Sequence, residues 1–205
     1  IFTVGIFIIV AAVFIIKKNM PCNDYMNLAE YYGESEKGYT VIAEENINKN
    51  KALYEDGHIY LDDEFVSGVL NKRFYWDANE NLLIYTTATS VIKAGLDSKT
   101  YDINKSSNTK DYVIAKLRGD KLYIALDFIK EYTALEYKTY KNPNRVVLTY
   151  KFGDKQKWVQ ADEEAKLRFE PSIKSRILID VKKKDKLRIL EENTDKSGFD
   201  KVLSE

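Results

Sequence analysis

The feature that most constrains this chain is that its middle repeats itself. At an offset of 63 residues, Ile59-Tyr60-Leu61-Asp62-Asp63-Glu64-Phe65-Val66 aligns with Leu122-Tyr123-Ile124-Ala125-Leu126-Asp127-Phe128-Ile129. Without a gap, Phe74 meets Tyr137, Asn79 meets Asn142, Asn81 meets Asn144, and Leu83-Ile84 meet Val146-Val147. Self-similarity at a fixed offset marks one supersecondary unit present in two copies.

Both copies read alike. Ile59 to Leu61 is a short apolar strand after a turn at Gly57. Asp62 or Asp63 can cap a helix, because a carboxylate accepts from the free N–H groups of a first turn. Phe65, Val66, Val69 and Leu70 then predict one apolar helical face. Arg73 to Trp76 predicts an aromatic strand, Asp77 to Asn81 a turn, and Leu82 to Thr86 the returning strand. The second copy predicts strand Leu122 to Ala125, a helix from Asp127 to Thr133, and a hairpin of Leu135 to Tyr140 with Arg145 to Tyr150 around Lys141-Asn142-Pro143-Asn144. Between the copies, Ser90 to Ala94, Thr100 to Ile103 and Tyr112 to Leu117 alternate apolar with polar residues, as further strands do. Short helices packed on hairpins predict an α+β domain over residues 40–153.

Ile1 to Ile16 is apolar except for Thr3 and Gly5, and Lys17-Lys18 end the run. A membrane-spanning helix needs roughly 20 apolar residues. The run begins at the first residue, with no initiator Met, so it reads as a truncated transmembrane anchor over residues 1–18, followed by a juxtamembrane linker, 19–39. A cleaved signal peptide and a buried core helix are the competing readings. No small-x-small site follows Ile16, which counts against the signal peptide. The two lysines alone would put the following chain in the cytoplasm by the positive-inside rule, but that rule compares two flanks. Cys22 follows Asn19-Met20-Pro21, a poor lipidation context.

Composition narrows the function. Lys plus Arg and Asp plus Glu are both 32, so there is no basic excess to meet nucleic-acid phosphate. At 44% hydrophobic residues the chain can build a core. One Cys excludes an internal disulfide, and His58, the single imidazole, excludes a three-His metal centre.

The strand–helix–strand–Asp/Asn turn–strand pattern, with Tyr60-Leu61 and Tyr123-Ile124 leading into the helices, resembles the bacterial copper-amine-oxidase N-terminal-like domain. That resemblance implies a non-catalytic module of extracellular and cell-wall proteins, and His58 alone does not imply copper. After a linker at 154–162, residues 163–205 resemble the start of a bacterial Src-homology-3-like barrel. Leu167-Arg168, Pro171-Ser172, Lys186-Leu187 and Phe199-Asp200-Lys201-Val202 carry that likeness, with Phe199 where the family usually has Trp. The closing strands do not follow, so this module reads as incomplete. Anchor, doubled domain and barrel in this order resemble the N-terminal half of membrane-anchored Gram-positive proteins of clostridial type, in which a glycoside hydrolase family 18 barrel follows. The resemblance implies a single-pass protein with its bulk outside the cell membrane, acting on a chitin-like glycan or on peptidoglycan.

No residue reads as catalytic, cofactor-binding or metal-binding, and the glycan-binding residues are unassigned. The D-x-x-D-x-D-x-E pattern of family 18 is absent, as are nucleophile-elbow, phosphate-loop and dinucleotide motifs. Asp62-Asp63-Glu64 reads as a helix cap and His58 as a surface or strand-edge residue. Lys182-Lys183-Lys184 can meet an anionic polymer or lipid, or lie in a solvated turn flanked by Asp180, Asp185, Glu191 and Glu192. Trp76 and Trp158 can stack on sugars. Phe74 and Trp76 share a strand face and read as core, and Trp158 reads as a wedge between modules. The expected function is a non-catalytic membrane-anchoring, wall-associating region of a larger glycan hydrolase. The alternative is an extracellular protein-interaction or sensory module with no enzyme attached. Neither requires a cofactor.

Overall fold

The structure is a computed structural model and describes residues 19–33, 38–44, 46–151, 156–194 and 198–204. A short helix, α1 (Leu28–Tyr32), opens where Asn27 Oδ1 accepts from the Ala29 N–H at 3.0 Å. The chain divides into two compact units, one of residues 32–153 and one that joins the residues up to Tyr31 with those from 154 onward.

The first unit contains both repeats. Strands β1 (Gly38–Ala43), β2 (Asn46–Glu55) and β3 (His58–Asp62) form a meander. Its second turn is Asp56-Gly57, with φ of 52° and 86°, the mirror-image turn that suits strand twist. Helix α2 (Asp63–Phe65) follows and leads into the hairpin β4 (Phe74–Asp77) and β5 (Leu82–Thr86). Then come β6 (Val91–Gly95), β7 (Thr100–Ile103), β8 (Ser106–Thr109) and β9 (Ala115–Arg118). The second copy is β10 (Lys121–Ala125), α3 (Leu126–Tyr132), and the hairpin β11 (Leu135–Tyr140) and β12 (Arg145–Tyr150). One sheet has the order β11-β12-β1-β2-β3-β10-β9, the other β4-β5-β6-β7-β8.

The repeat has a geometric centre. β3 and β10 pair antiparallel with Leu61 opposite Ile124, Tyr60 opposite Ala125 and Asp62 opposite Tyr123. Leu61 and Ile124 are also equivalent under the 63-residue offset, so an approximate two-fold axis passes through that pair. The hairpins cross over between copies. β12 of the second copy pairs parallel with β1 of the first. β5 of the first copy reaches β7, which the offset places near the counterpart of β1, through the additional strand β6. Helix α3 packs on β3 and β10, and its Phe128 meets Phe74 of β4 edge-on at 6.5 Å and Tyr101 of β7 at 5.4 Å. Phe74, Tyr85, Tyr101 and Phe128 are all buried in one core with Leu61, Ile124 and Ile129.

The second unit is smaller. Strands β13 (Lys157–Gln160), β16 (Lys186–Thr194) and β17 (Phe199–Ser204) form one sheet, and β14 (Ala165–Arg168) with β15 (Ile177–Val181) another. Its buried apolar residues are Ile177, Val181 and Leu187.

Several expectations are corrected. The described residues are mostly β, not α+β. Val66, Ser67, Gly68 and Val69 are weak helix formers, so the first helix is a single turn, while β1, β2, β8 and β13 add strand where no strand is predicted. Val66–Leu70 winds as a π turn, closed by Asn71 N–H to Val66 O at 2.8 Å. The wider turn swings Val69 off the buried face, leaving it 55% exposed. The expected transmembrane helix lies at residues outside the described ones, and among the described residues no helix is long and apolar enough to cross a membrane. The expected linker at 19–39 is structured at both ends. Tyr25 bridges Ile177 in parallel, Met26 N–H donates to Ile177 O at 2.7 Å, and Ile177 N–H donates to Asp24 O at 2.9 Å. Arg168 donates to Cys22 O at 2.8 Å. The expected linker at 154–162 contains β13.

Candidate functional site

The residues that present an open, chemically mixed surface are on β13. This strand pairs with β16, placing Trp158 opposite Arg188 and Gln160 opposite Lys186. Directly opposed residues share a sheet face, so Trp158, Gln160 and Lys186 point to one side. All four residues of β13 are exposed, Trp158 at 42%. Trp158, Val159, Gln160 and Lys186 line an open cleft of about 500 Å³, within the size range of small-ligand sites.

The Lys182–Asp185 turn is fastened to the end of β13. Gln160 Nε2 donates to Lys184 O at 3.0 Å, Lys184 N–H to Ala161 O at 2.8 Å, and Ala161 N–H to Asp185 O at 2.9 Å. Asp185 is exposed, and its Oδ2 accepts from Lys182 N–H at 2.7 Å. Lys184 has a φ of 77°, in the left-handed region. In this unit Lys157 pairs with Glu192 and Lys166 with Asp180. Among the described residues no carboxylate pairs with Lys182, Lys183, Lys184 or Lys186.

The other candidates have structural roles. Asp62 is 1% exposed, and its Oδ1 accepts from Phe65 N–H at 3.1 Å, so it is the helix cap. Its Oδ2 takes Lys51 at 3.1 Å. Burial, then the neighbouring Asp62, pushes the Asp63 carboxyl up. His58 Nδ1 lies 3.2 Å from Asp127 Oδ2, and its ring stands 5.0 Å from that of Tyr112. Asp127 also accepts from the Tyr137 hydroxyl at 2.8 Å. Burial and then that hydrogen bond push the Tyr137 phenol up to about 12. No three His, Cys, Asp or Glu side chains among the described residues converge as a metal site, and one imidazole held by a carboxylate does not make the nitrogen-rich set that copper prefers. Trp76 packs against the core with its Nε1 buried and unpaired. Of the two tryptophans, Trp158 is therefore the one that presents its ring.

Sequence reasoning named Trp158 and the lysine turn but missed Gln160 and Lys186. The signal was the alternation Lys157-Trp158-Val159-Gln160, which reads as a short strand once that stretch is not taken for a linker.

The unit of residues 32–153 is thus a crossed two-copy β domain with a buried aromatic core, and the exposed cleft belongs to the smaller unit. Residues 41–149 match the copper amine oxidase N-terminal domain family, and the chain belongs to it. No curated protein and no solved structure matches the chain.

Proposed function

We propose that this chain is the non-catalytic region that holds a larger cell-surface glycan hydrolase against wall glycan. In this reading the apolar segment 1–16 tethers it at the cell membrane, and the mass that follows faces outside. The observation that carries the proposal is the cleft on β13, where an exposed indole lies beside an amide and an ammonium group. An indole offers a flat apolar face to the C–H face of a sugar ring, and the polar neighbours meet its hydroxyl groups. The order of modules supports the rest: the doubled domain, the Src-homology-3-like residues from Leu167 to Val202, and their likeness to proteins that continue into a family 18 hydrolase. Asp62 caps a helix and Glu55, Glu136 and Asp180 sit in ion pairs, and in this reading the hydrolytic acid is supplied by another domain of the larger protein. An interaction or sensory module without an enzyme is the competing reading.

Two measurements test this. Purified chain is mixed with isolated cell walls and sedimented. Retention on walls supports the proposal, and retention only when a protein partner is added turns it to the interaction module. Protease is then added to intact protoplasts. Digestion of the chain is expected, and digestion only after lysis places the bulk inside and overturns the tethering.

A further inference from the structure

We infer that the β13 cleft and the Lys182–Asp185 turn form one binding site for an acidic polysaccharide, a chain of sugar rings carrying carboxylate or phosphate groups. The inference deepens the wall-binding reading above and rests on it for the biological setting, though not for its chemistry.

Three independent observations lead to it. The first is the exposed Trp158 ring in a cleft of about 500 Å³, which suits a sugar face. The second is charge. Lys182, Lys183, Lys184 and Lys186 are all exposed, and among the described residues no carboxylate makes an ion pair with them. Asp185 is turned onto the backbone N–H of Lys182, and Glu192 pairs with Lys157. Four lysines against the single carboxylate of Asp185 in this turn and strand start raise the local concentration of anions beside the cleft. The third is backbone conformation. Lys184 holds a φ of 77°, where glycine is at ease and a lysine is strained. The same turn is joined to the cleft strand by the Gln160-to-Lys184 and Ala161-to-Asp185 hydrogen bonds, so indole and ammonium groups keep a fixed relation. A neutral glycan would make no use of four lysines, and a flat anionic surface would make no use of the cleft.

The test uses the purified chain with polygalacturonate, which carries a carboxylate on each ring, against neutral dextran and against phosphatidylglycerol vesicles. Polygalacturonate should bind, dextran should not, and added salt should weaken the binding. Trp158→Ala should weaken it about thirtyfold, the loss typical of a central aromatic anchor. The combined Lys182→Ala, Lys183→Ala and Lys186→Ala variant should weaken it and flatten its salt dependence. Lys184→Gly should weaken binding while its melting temperature stays level or rises, which a merely structural lysine would not do. Equal binding of dextran, unchanged binding by Trp158→Ala, or tighter binding to vesicles that is indifferent to Trp158→Ala each overturns the inference. If walls retain these variants as well as the parent, the cleft inference fails and wall association stands. If walls do not retain the parent while polygalacturonate binds through Trp158, the wider reading fails and the cleft stands.

Discussion

Glu55 is the residue through which acid should act most clearly on this fold. Its carboxylate receives hydrogen bonds from Arg118 and from Lys116, which lies 3.3 Å away. Arg118 chiefly, against some burial and with Lys116 helping, holds its carboxyl down at about 2. In the unfolded chain a glutamate titrates near about 4.3. The folded form therefore binds fewer protons, and this stabilisation is complete above that pH and fades as pH falls toward 2. Melting temperature should drop over that window, and Glu55→Gln should flatten the drop. An unchanged acid profile in Glu55→Gln would remove Glu55 from the account. Asp62 is the second telling residue, because it caps α2 through one oxygen and holds Lys51 through the other. Asp62→Ala should cost about 2–3 kcal/mol in urea denaturation. Asp62→Asn should recover part of that, since asparagine caps equally well but carries no charge.

The helices and hairpins depend on one another through aromatic contacts. Phe128 on α3 touches Phe74, Tyr101 and Tyr132, with ring centroids between 5.1 and 6.5 Å apart. Its removal opens a cavity beside Phe74 and Tyr101 of the five-stranded sheet. Phe128→Ala and Phe74→Ala should each destabilise the fold by about 3–5 kcal/mol. Being in contact, they should sum to less than their separate costs in a double-mutant cycle. Strict additivity would mean that helix and hairpin melt independently. The crossing of hairpins adds a second consequence: β12 belongs on β1, far away in sequence. A single copy leaves that edge unpaired, so residues 38–88 alone should show no cooperative thermal transition.

On the scale of the whole molecule, the C-terminal unit is assembled from both ends of the described chain. Cys22, Asp24 and Met26 exchange backbone hydrogen bonds with Ile173 and Ile177, and the Tyr25 hydroxyl meets Asp180 at 2.7 Å. With few buried apolar side chains among its described residues, this unit has little stability to spare. Residues 154–205 expressed alone should give poorly dispersed amide NMR spectra, and a peptide of residues 19–31 added in trans should restore dispersion. Well-dispersed spectra without the peptide would show that the N-terminal segment is dispensable.

The sequence by itself determined the repeat, the strand–helix–hairpin order of each copy, the cap at Asp62-Asp63, the burial of Phe74 and the packing of the partly buried Trp76 against the core. Those are local or periodic properties, written in the alternation of apolar residues and in turn chemistry. Tertiary structure alone decided the rest. Which hairpin joins which sheet depends on pairing between residues roughly a hundred positions apart, and no local pattern encodes that. Val69 faces outward because the turn widened, while Phe65 and Val66 stay buried. Residues 20–27 look like a linker until Ile177 supplies the partner for their backbone. The cleft shows the same division: Trp158 and the lysines are visible in the sequence, but only the β13–β16 register sets Gln160 and Lys186 beside the indole, because neighbours across a sheet are fixed by hydrogen bonding rather than by order along the chain.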